Sequence, residues 1–134
     1  YWAVVVKTFS KKEGKLNHWM TRNEKQNKSK AHKNEVPNSK EASLLFKRVI
    51  ELDHYCLLEI TLETGRHHQI RAQLSAIEFP IQGDLKYGAP RSNKDGSISL
   101  HARKLKILHP ITKEILSFKA NPPKTGIWKA VPCD

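Results

Sequence analysis

The chain has 134 residues, 24 Lys or Arg against 13 Asp or Glu, and a formal net charge of +11. This length allows one domain or part of one, and the charge excess favours a polyanionic partner, with nucleic acid the leading class. The sequence contains no recognisable signal peptide and no apolar run near the ~18 residues of a membrane span. Its two cysteines are far apart and do not indicate a disulfide framework, so we expect a cytoplasmic protein.

The first half of the sequence predicts strands. Residues 1–9 are aromatic and β-branched and predict a central strand, and residues 16–22 predict a short one. Residues 41–52 and 55–62 are apolar runs joined by Asp53 and His54, which predicts a β-hairpin.

Residues 24–40 have few apolar side chains and predict a basic flexible loop. Residues 10–40 contain nine Lys or Arg and three Glu, so about half of the net charge lies there. Such a segment suits contacts with RNA phosphates that carry no base specificity, and a solvated hairpin tip is the alternative. The lysines predicted to act together are Lys25, Lys28, Lys30 and Lys33.

The period of the apolar residues then changes. Ile70, Leu74 and Ile77 lie four and three residues apart, which predicts a helix that ends before Pro80. Alternation over residues 98–108 predicts a strand, and residues 115–118 predict a last strand paired with it. The elements together predict an α+β fold, a mostly antiparallel mixed sheet with one main helix.

Residues 64–71 (TGRHHQIR) join the last strand of the predicted hairpin to this helix. Polar side chains between two rigid elements suit a functional site, and a turn that starts a surface helix is the alternative. His67 and His68 diverge by ~100° in a helix, so they predict no metal site, and no hydrolase motif is present. A nucleic-acid site remains, in which Arg66 and Arg71 contact phosphate or a carboxylate.

Several motifs occur in one order along nearly the whole chain: residues 1–4 (YWAV), 64–71, 80–84 (PIQGD), 87–88 (YG), 100–102 (LHA) and 109–110 (HP). In this combination the sequence resembles the RluA family of RNA pseudouridine synthases. The resemblance implies that the chain is the C-terminal half of that family's catalytic domain. The implied activity is isomerisation of uridine to pseudouridine in a ribosomal or transfer RNA, without a metal or a cofactor.

The resemblance also implies roles for particular residues. In this family an aspartate attacks the flipped nucleotide, and the base detaches, turns and rejoins through carbon. Tyr1 corresponds to the tyrosine that packs on the base, Arg71 to the arginine that pairs with the aspartate, and Leu100 to the leucine of the pocket floor. Arg66 and His67 are expected to lie beside the RNA.

Two departures from the family pattern matter. The His-Arg-Leu-Asp block that carries the nucleophile does not occur in these 134 residues, so we predict that this chain alone is inactive. We expect Asp84 to be structural, and we expect exposed sheet edges that favour self-association. Glu78 stands where the family has a glycine, which predicts a strained or altered helix cap.

Two rivals stay open. One is a non-catalytic RNA-binding module of the same fold, and the other is a basic structural protein of a ribonucleoprotein. The second predicts salt-sensitive binding without a preference for a flipped uridine.

Overall fold

A mostly antiparallel sheet carries a single α-helix in the computed structural model, which describes residues 1–7, 10–108, 111–123 and 126–130. The strands of the main sheet within these residues are β1 (Trp2–Val5), β2 (Glu13–Asn23), β3 (Lys28–His32), β4 (Lys40–Glu51), β5 (Cys56–Leu62) and β6 (Leu100–His101). Their order across the sheet is β3-β2-β4-β5-β1-β6. The predicted α+β class and the β4–β5 hairpin are therefore confirmed.

The helix α1 (Gln69–Ala76) follows β5, and a short 3-10 helix (Leu85–Tyr87) follows α1. A second, two-stranded sheet pairs β7 (Lys104–Leu108) with β8 (Ile115–Lys119), and a 3-10 turn covers Gly126–Ala130. The pairing of the last two strands is as predicted. The prediction of one continuous strand over residues 98–108 is wrong, because these residues form two strands in different sheets. The backbone leaves the main sheet at Ala102 and Arg103, where the Arg103 guanidinium binds the Ala120 carbonyl at 2.7 Å.

The first strand alternates between two cores. Ala3 and Val5 face the side of the sheet that α1 covers, where they join a cluster with Ile70 and Leu74. Val4 faces the opposite side and packs with Leu57 and Trp128. This period of two is the one expected of a strand buried on both faces. Of residues 1–9, only Trp2–Val5 form a strand, and Thr8 and Phe9 lie outside the described residues.

The prediction of a loop over residues 24–40 is wrong for Lys28–His32, which form β3 at the edge of the sheet. Thr21 pairs with Lys30 and Arg22 with Ser29, so β2 and β3 make a tight hairpin. The strand has no apolar alternation because its buried position holds Ser29, and its lysines are common on edge strands.

The end of α1 has the expected left-handed cap with an unexpected residue. Glu78 has a φ of 69°. Its N–H donates to the Ser75 carbonyl at 3.0 Å, and the Phe79 N–H donates to the Leu74 carbonyl at 2.9 Å. These two bonds form a Schellman motif, which usually holds glycine at this position. The predicted strain at Glu78 is therefore located in its backbone.

No described helix is long and apolar enough to cross a membrane.

Candidate functional site at the start of the helix

The joint between β5 and α1 is braced by one buried side chain, Gln69. Its Oε1 accepts bonds from the Thr64 hydroxyl at 2.8 Å and from the Arg66 N–H at 2.9 Å. Its Nε2 donates to the Ser43 carbonyl on β4 at 3.0 Å. Gln69 is 3% exposed, and its bond to Ser43 is fully buried. The brace fixes the position of α1 relative to the sheet.

Arg71, in the first turn of α1, forms a bidentate ion pair with Asp84. Its Nε donates to Asp84 Oδ2 at 2.9 Å and its Nη2 to Oδ1 at 2.8 Å. The Arg71 side chain is 20% exposed and that of Asp84 only 1%. The hydrogen bond to Asp84 raises the pKa of Arg71 above its ordinary value, although burial acts in the opposite direction. The guanidinium is thus charged and held in one plane.

His68 precedes α1 in a left-handed conformation, with a φ of 52°. Its Nδ1 lies 2.8 Å from the Tyr87 hydroxyl and its Nε2 lies 3.3 Å from Arg71 Nη1. Burial, and then the charge of Arg71, lower the pKa of His68 to about 4, so the ring is neutral at pH 7. Because a guanidinium only donates, we assign Nε2 as the acceptor and place the proton on Nδ1.

His67 ties the site to the β2–β3 hairpin. Its Nδ1 lies 2.7 Å from Ser29 Oγ, its Nε2 lies 3.0 Å from Asn27 Oδ1, and its ring stacks on His68 with 3.8 Å between centroids. Burial, followed by the nearby cations, lowers the pKa of His67. A neutral ring can accept from Ser29 and donate to Asn27 at the same time. His67 therefore uses both ring nitrogens for hydrogen bonds to the hairpin.

The basic residues of the hairpin surround this network. Lys28 Nζ lies 5.5 Å from the centre of the Tyr87 ring, while Lys25, Lys30 and Lys33 are exposed. A groove of about 560 Å³ runs between the hairpin and α1, and Arg22, Lys28 and Lys30 contribute to its walls. The concave surface next to the site is thus cationic.

Arg66 borders a second groove, which shares Arg22 and Ser29 of the hairpin with the first. This groove measures about 270 Å³ and is also lined by Arg22, Lys40 and His67. Arg66 Nε donates to the Glu41 carbonyl at 2.9 Å, and the residue is exposed. One donor of the guanidinium is thus used to hold the side chain beside the groove.

Tyr1 and Leu100 lie toward the other edge of the sheet. The Tyr1 carbonyl accepts from the Ile60 N–H at 2.7 Å, which continues the ladder of β1 and places the tyrosine on the same face as Ala3. Tyr1 is 41% exposed. Leu100 pairs with Ala3 and packs partly buried against the core under α1. Both residues share the α1 face but are separated from β3 by the width of the sheet.

Three parts of the network were not predicted from the sequence. Asp84, which was expected to be structural, is the buried carboxylate that Arg71 binds, and this partner was not predicted. The Tyr87 hydroxyl accepts the Ser29 N–H at 2.8 Å and its ring lies 4.8 Å below Arg71 Cζ. The sequence signal that could have identified the Arg71–Asp84 pair is an aspartate in a motif of apolar and turn residues, a short distance after an arginine. An aspartate that such a motif buries needs a cationic partner.

Comparison with known proteins supports the resemblance. Residues 1–76 match the family model described as RNA pseudouridylate synthase. The tRNA pseudouridine synthase C of Vibrio parahaemolyticus is 38% identical over 74 residues, which are 50% of this chain and 30% of that protein. The uncharacterised RNA pseudouridine synthase YlyB of Bacillus subtilis is 34% identical over 124 residues, which are 92% of this chain and 40% of that protein.

A solved structure has the same fold. The human RNA pseudouridylate synthase domain containing 1 superposes with a TM-score of 0.72 at 22% identity, over 92% of this chain and 53% of that one. The chain therefore spans less than half the length of the two curated relatives and about half of the solved structure.

Proposed function

Because this chain belongs to the RluA family of RNA pseudouridine synthases, we propose that it forms part of the catalytic domain of an enzyme that isomerises uridine to pseudouridine in structured RNA. The proposed substrate is a transfer or ribosomal RNA, and one similar protein is named a tRNA pseudouridine synthase. The proposed location is the cytoplasm. Self-association through edge strands stays a prediction.

The observation that carries this proposal is the state of Arg71. The family resemblance assigns Arg71 to the nucleophilic aspartate, and this side chain is charged, partly exposed and locked in one plane at the start of α1. A fixed guanidinium can hold an incoming carboxylate ionised and oriented, which a nucleophile requires. Tyr1 on the α1 face offers a ring for stacking, and Leu100 an apolar floor.

The nucleophile itself is proposed to come from the His-Arg-Leu-Asp block of the family. Among the described residues, Asp84 is buried against Arg71, while Asp53 and Asp95 lie in loops, and Asp134 lies outside the described residues. Asp95 accepts from the Ser97 hydroxyl, which leaves it committed to its own loop. We therefore propose that the 134 residues alone have no turnover.

RNA binding is proposed for the cationic surface beside the site. The two grooves along the β2–β3 hairpin bring Lys28, Lys30 and Arg66 together on neighbouring surfaces. Backbone phosphates would be attracted collectively, with no single lysine essential. His67 is bonded to the hairpin, so its proposed part is to hold this surface against α1.

One observation favours the second candidate, a non-catalytic RNA-binding module. Arg71 already has a carboxylate partner in Asp84, which is sufficient to explain a partly buried arginine without chemistry. The two candidates differ in turnover itself, which only the enzyme has and for which only the enzyme needs Arg71. In the module, its loss would weaken folding and RNA binding alike.

Substitution of Arg71 in the full-length protein separates the candidates. Arg71→Met should reduce tritium release from uridine-labelled RNA by at least ~10³-fold while the Kd for RNA changes little, because an electrostatic contact to the reacting groups is lost. Arg91→Met is the matched control, since Arg91 lies exposed in a loop. Wild-type full-length protein that binds RNA but releases no tritium would favour the module. Both variants are compared where circular dichroism shows them folded, because Arg71→Met leaves the buried Asp84 carboxylate unpaired.

A further inference from the structure

The guanidinium of Arg71 has two edges that match a carboxylate. A guanidinium carries five N–H donors in one plane, so the side-on edge consists of Nε and Nη2 and the end-on edge consists of Nη1 and Nη2. Asp84 occupies the side-on edge with bonds of 2.9 and 2.8 Å. His68 accepts from Nη1, which carries two N–H groups, so one N–H of Nη1 and one of Nη2 remain on the end-on edge for a second carboxylate.

Neighbouring side chains prevent this plane from turning. The Tyr87 ring lies under the guanidinium, 4.8 Å from Cζ, and covers one face. His68 Nε2 lies 3.3 Å from Nη1 and accepts from it as a neutral ring. The Tyr87 hydroxyl, 2.8 Å from Nδ1, fixes the orientation of His68. Arg71 is thus constrained on its side-on edge, on one face and at Nη1.

Asp84 is held as firmly as the side chain that it binds. Its N–H donates to the Ile81 carbonyl at 3.0 Å, and its own carbonyl accepts from Tyr87 at 3.1 Å and from Ala89 at 3.0 Å. Its side chain is 1% exposed. The carboxylate therefore serves as a fixed reference point for Arg71 and is itself inaccessible to a nucleotide.

We propose that Asp84 and His68 are positioning residues, which aim the end-on edge of Arg71 at the nucleophilic carboxylate of the active site. This inference rests on the proposed function and adds two residues to it. Neither residue touches the nucleotide or the reacting atoms. Both act through the angle at which Arg71 presents its donors.

Orientation matters here because the Arg71–Asp84 pair is neutral as a whole. A second carboxylate is attracted less by net charge than by two directed N–H bonds. Rotation of the guanidinium away from Asp84 would misalign both bonds together. Misplacement of a reacting group by ~1 Å can lower the rate about 10²-fold. We therefore expect the misaligned bonds to lower kcat.

The test uses the full-length protein and the tritium-release assay, at a temperature where each variant is folded by circular dichroism. Asp84→Asn keeps the size of the side chain but replaces one acceptor by a donor that faces Arg71. We expect kcat to fall about 10²-fold with KM for RNA unchanged. Asp95→Asn is the matched control, because Asp95 lies in an exposed loop and binds Ser97. A folded Asp84→Asn protein with the wild-type kcat would overturn the inference.

A second variant decides the matter if Asp84→Asn fails to fold. His68→Asn suits the left-handed backbone, since asparagine adopts positive φ readily, and it removes the acceptor at Nη1. We expect kcat to fall ~10-fold with KM unchanged, and a wild-type kcat would overturn the inference. Wild-type protein that releases no tritium from either transfer or ribosomal RNA would instead refute the proposed function.

Discussion

The Ser29 N–H on β3 donates to the Tyr87 hydroxyl at 2.8 Å, although the two residues are 58 positions apart in the chain. The same oxygen lies 2.8 Å from His68 Nδ1. One phenol therefore connects the basic hairpin, the start of α1 and the turn that carries Asp84. Burial raises the pKa of Tyr87, so the phenol is protonated at pH 7.

Loss of this hydroxyl should destabilise the fold. Tyr87→Phe keeps the ring under Arg71 but leaves the Ser29 N–H, in a residue 4% exposed, without its acceptor. An unsatisfied buried donor costs ~1–3 kcal/mol, so urea unfolding should show a loss of that size. Tyr55→Phe removes a hydroxyl from a half-buried tyrosine in the β4–β5 turn and should change stability by less than ~0.5 kcal/mol. Equal losses in the two variants would contradict the role of the Ser29 bond.

Glycine at position 78 should stabilise the protein. Glu78 is exposed and holds a φ of 69° at the helix cap, where a side chain with a Cβ is strained. Glu78→Gly removes the strain and should raise the free energy of unfolding by about 1 kcal/mol. Glu78→Ala is the control, because it removes the carboxylate but keeps the Cβ, and it should gain little. A gain in both variants would assign the effect to charge.

Stability should fall as the pH drops from 6.5 toward 4. The pKa of His68 is lowered to about 4 from 6.5, chiefly by burial, so in this window the unfolded chain binds a proton that the folded ring does not. The free energy of unfolding therefore rises with pH there. The shift corresponds to ~3 kcal/mol for a fully buried ring, and screening at this partly exposed ring reduces it to about 1 kcal/mol.

Urea unfolding at pH 5.0 and 7.5 measures this dependence. His68→Asn should flatten the difference between the two pH values, whatever its effect on stability at either one. His18 and His67 also have lowered pKa values, so a smaller dependence of the same sign should remain. An unchanged difference in His68→Asn would assign the dependence to these other rings.

The sequence predicted the elements that depend on local spacing and missed those that depend on distant partners. Ile70, Leu74 and Ile77 lie one helical turn apart, so α1 could be found from its own residues. The strand β3 has no such pattern. Its residues are extended because they pair with β2 and because the Ser29 N–H reaches Tyr87, and neither partner can be identified from the residues of β3 alone.

The site divides in the same way. The resemblance identified Arg71 and its need for a carboxylate, but that carboxylate was sought outside the chain. Asp84, 13 residues further on, satisfies the side-on edge first. This pairing depends on the turn that returns the chain to α1 after Pro80, and such a return is a tertiary property.

The hairpin lysines should set the salt dependence of RNA binding. Replacing Lys25, Lys28, Lys30 and Lys33 by alanine in the full-length protein should weaken binding at low salt and reduce the slope of log K against log salt. Each lost phosphate contact changes that slope by ~0.7–0.9, so a reduction of up to about 3 is expected, measured by filter binding from 50 to 200 mM salt. The control replaces four exposed lysines elsewhere, Lys11, Lys47, Lys94 and Lys113, and lowers the net charge equally. If both variants lose the same slope, the attraction comes from the net charge of the protein and not from the grooves of the hairpin, since long-range attraction does not depend on where the four charges lie.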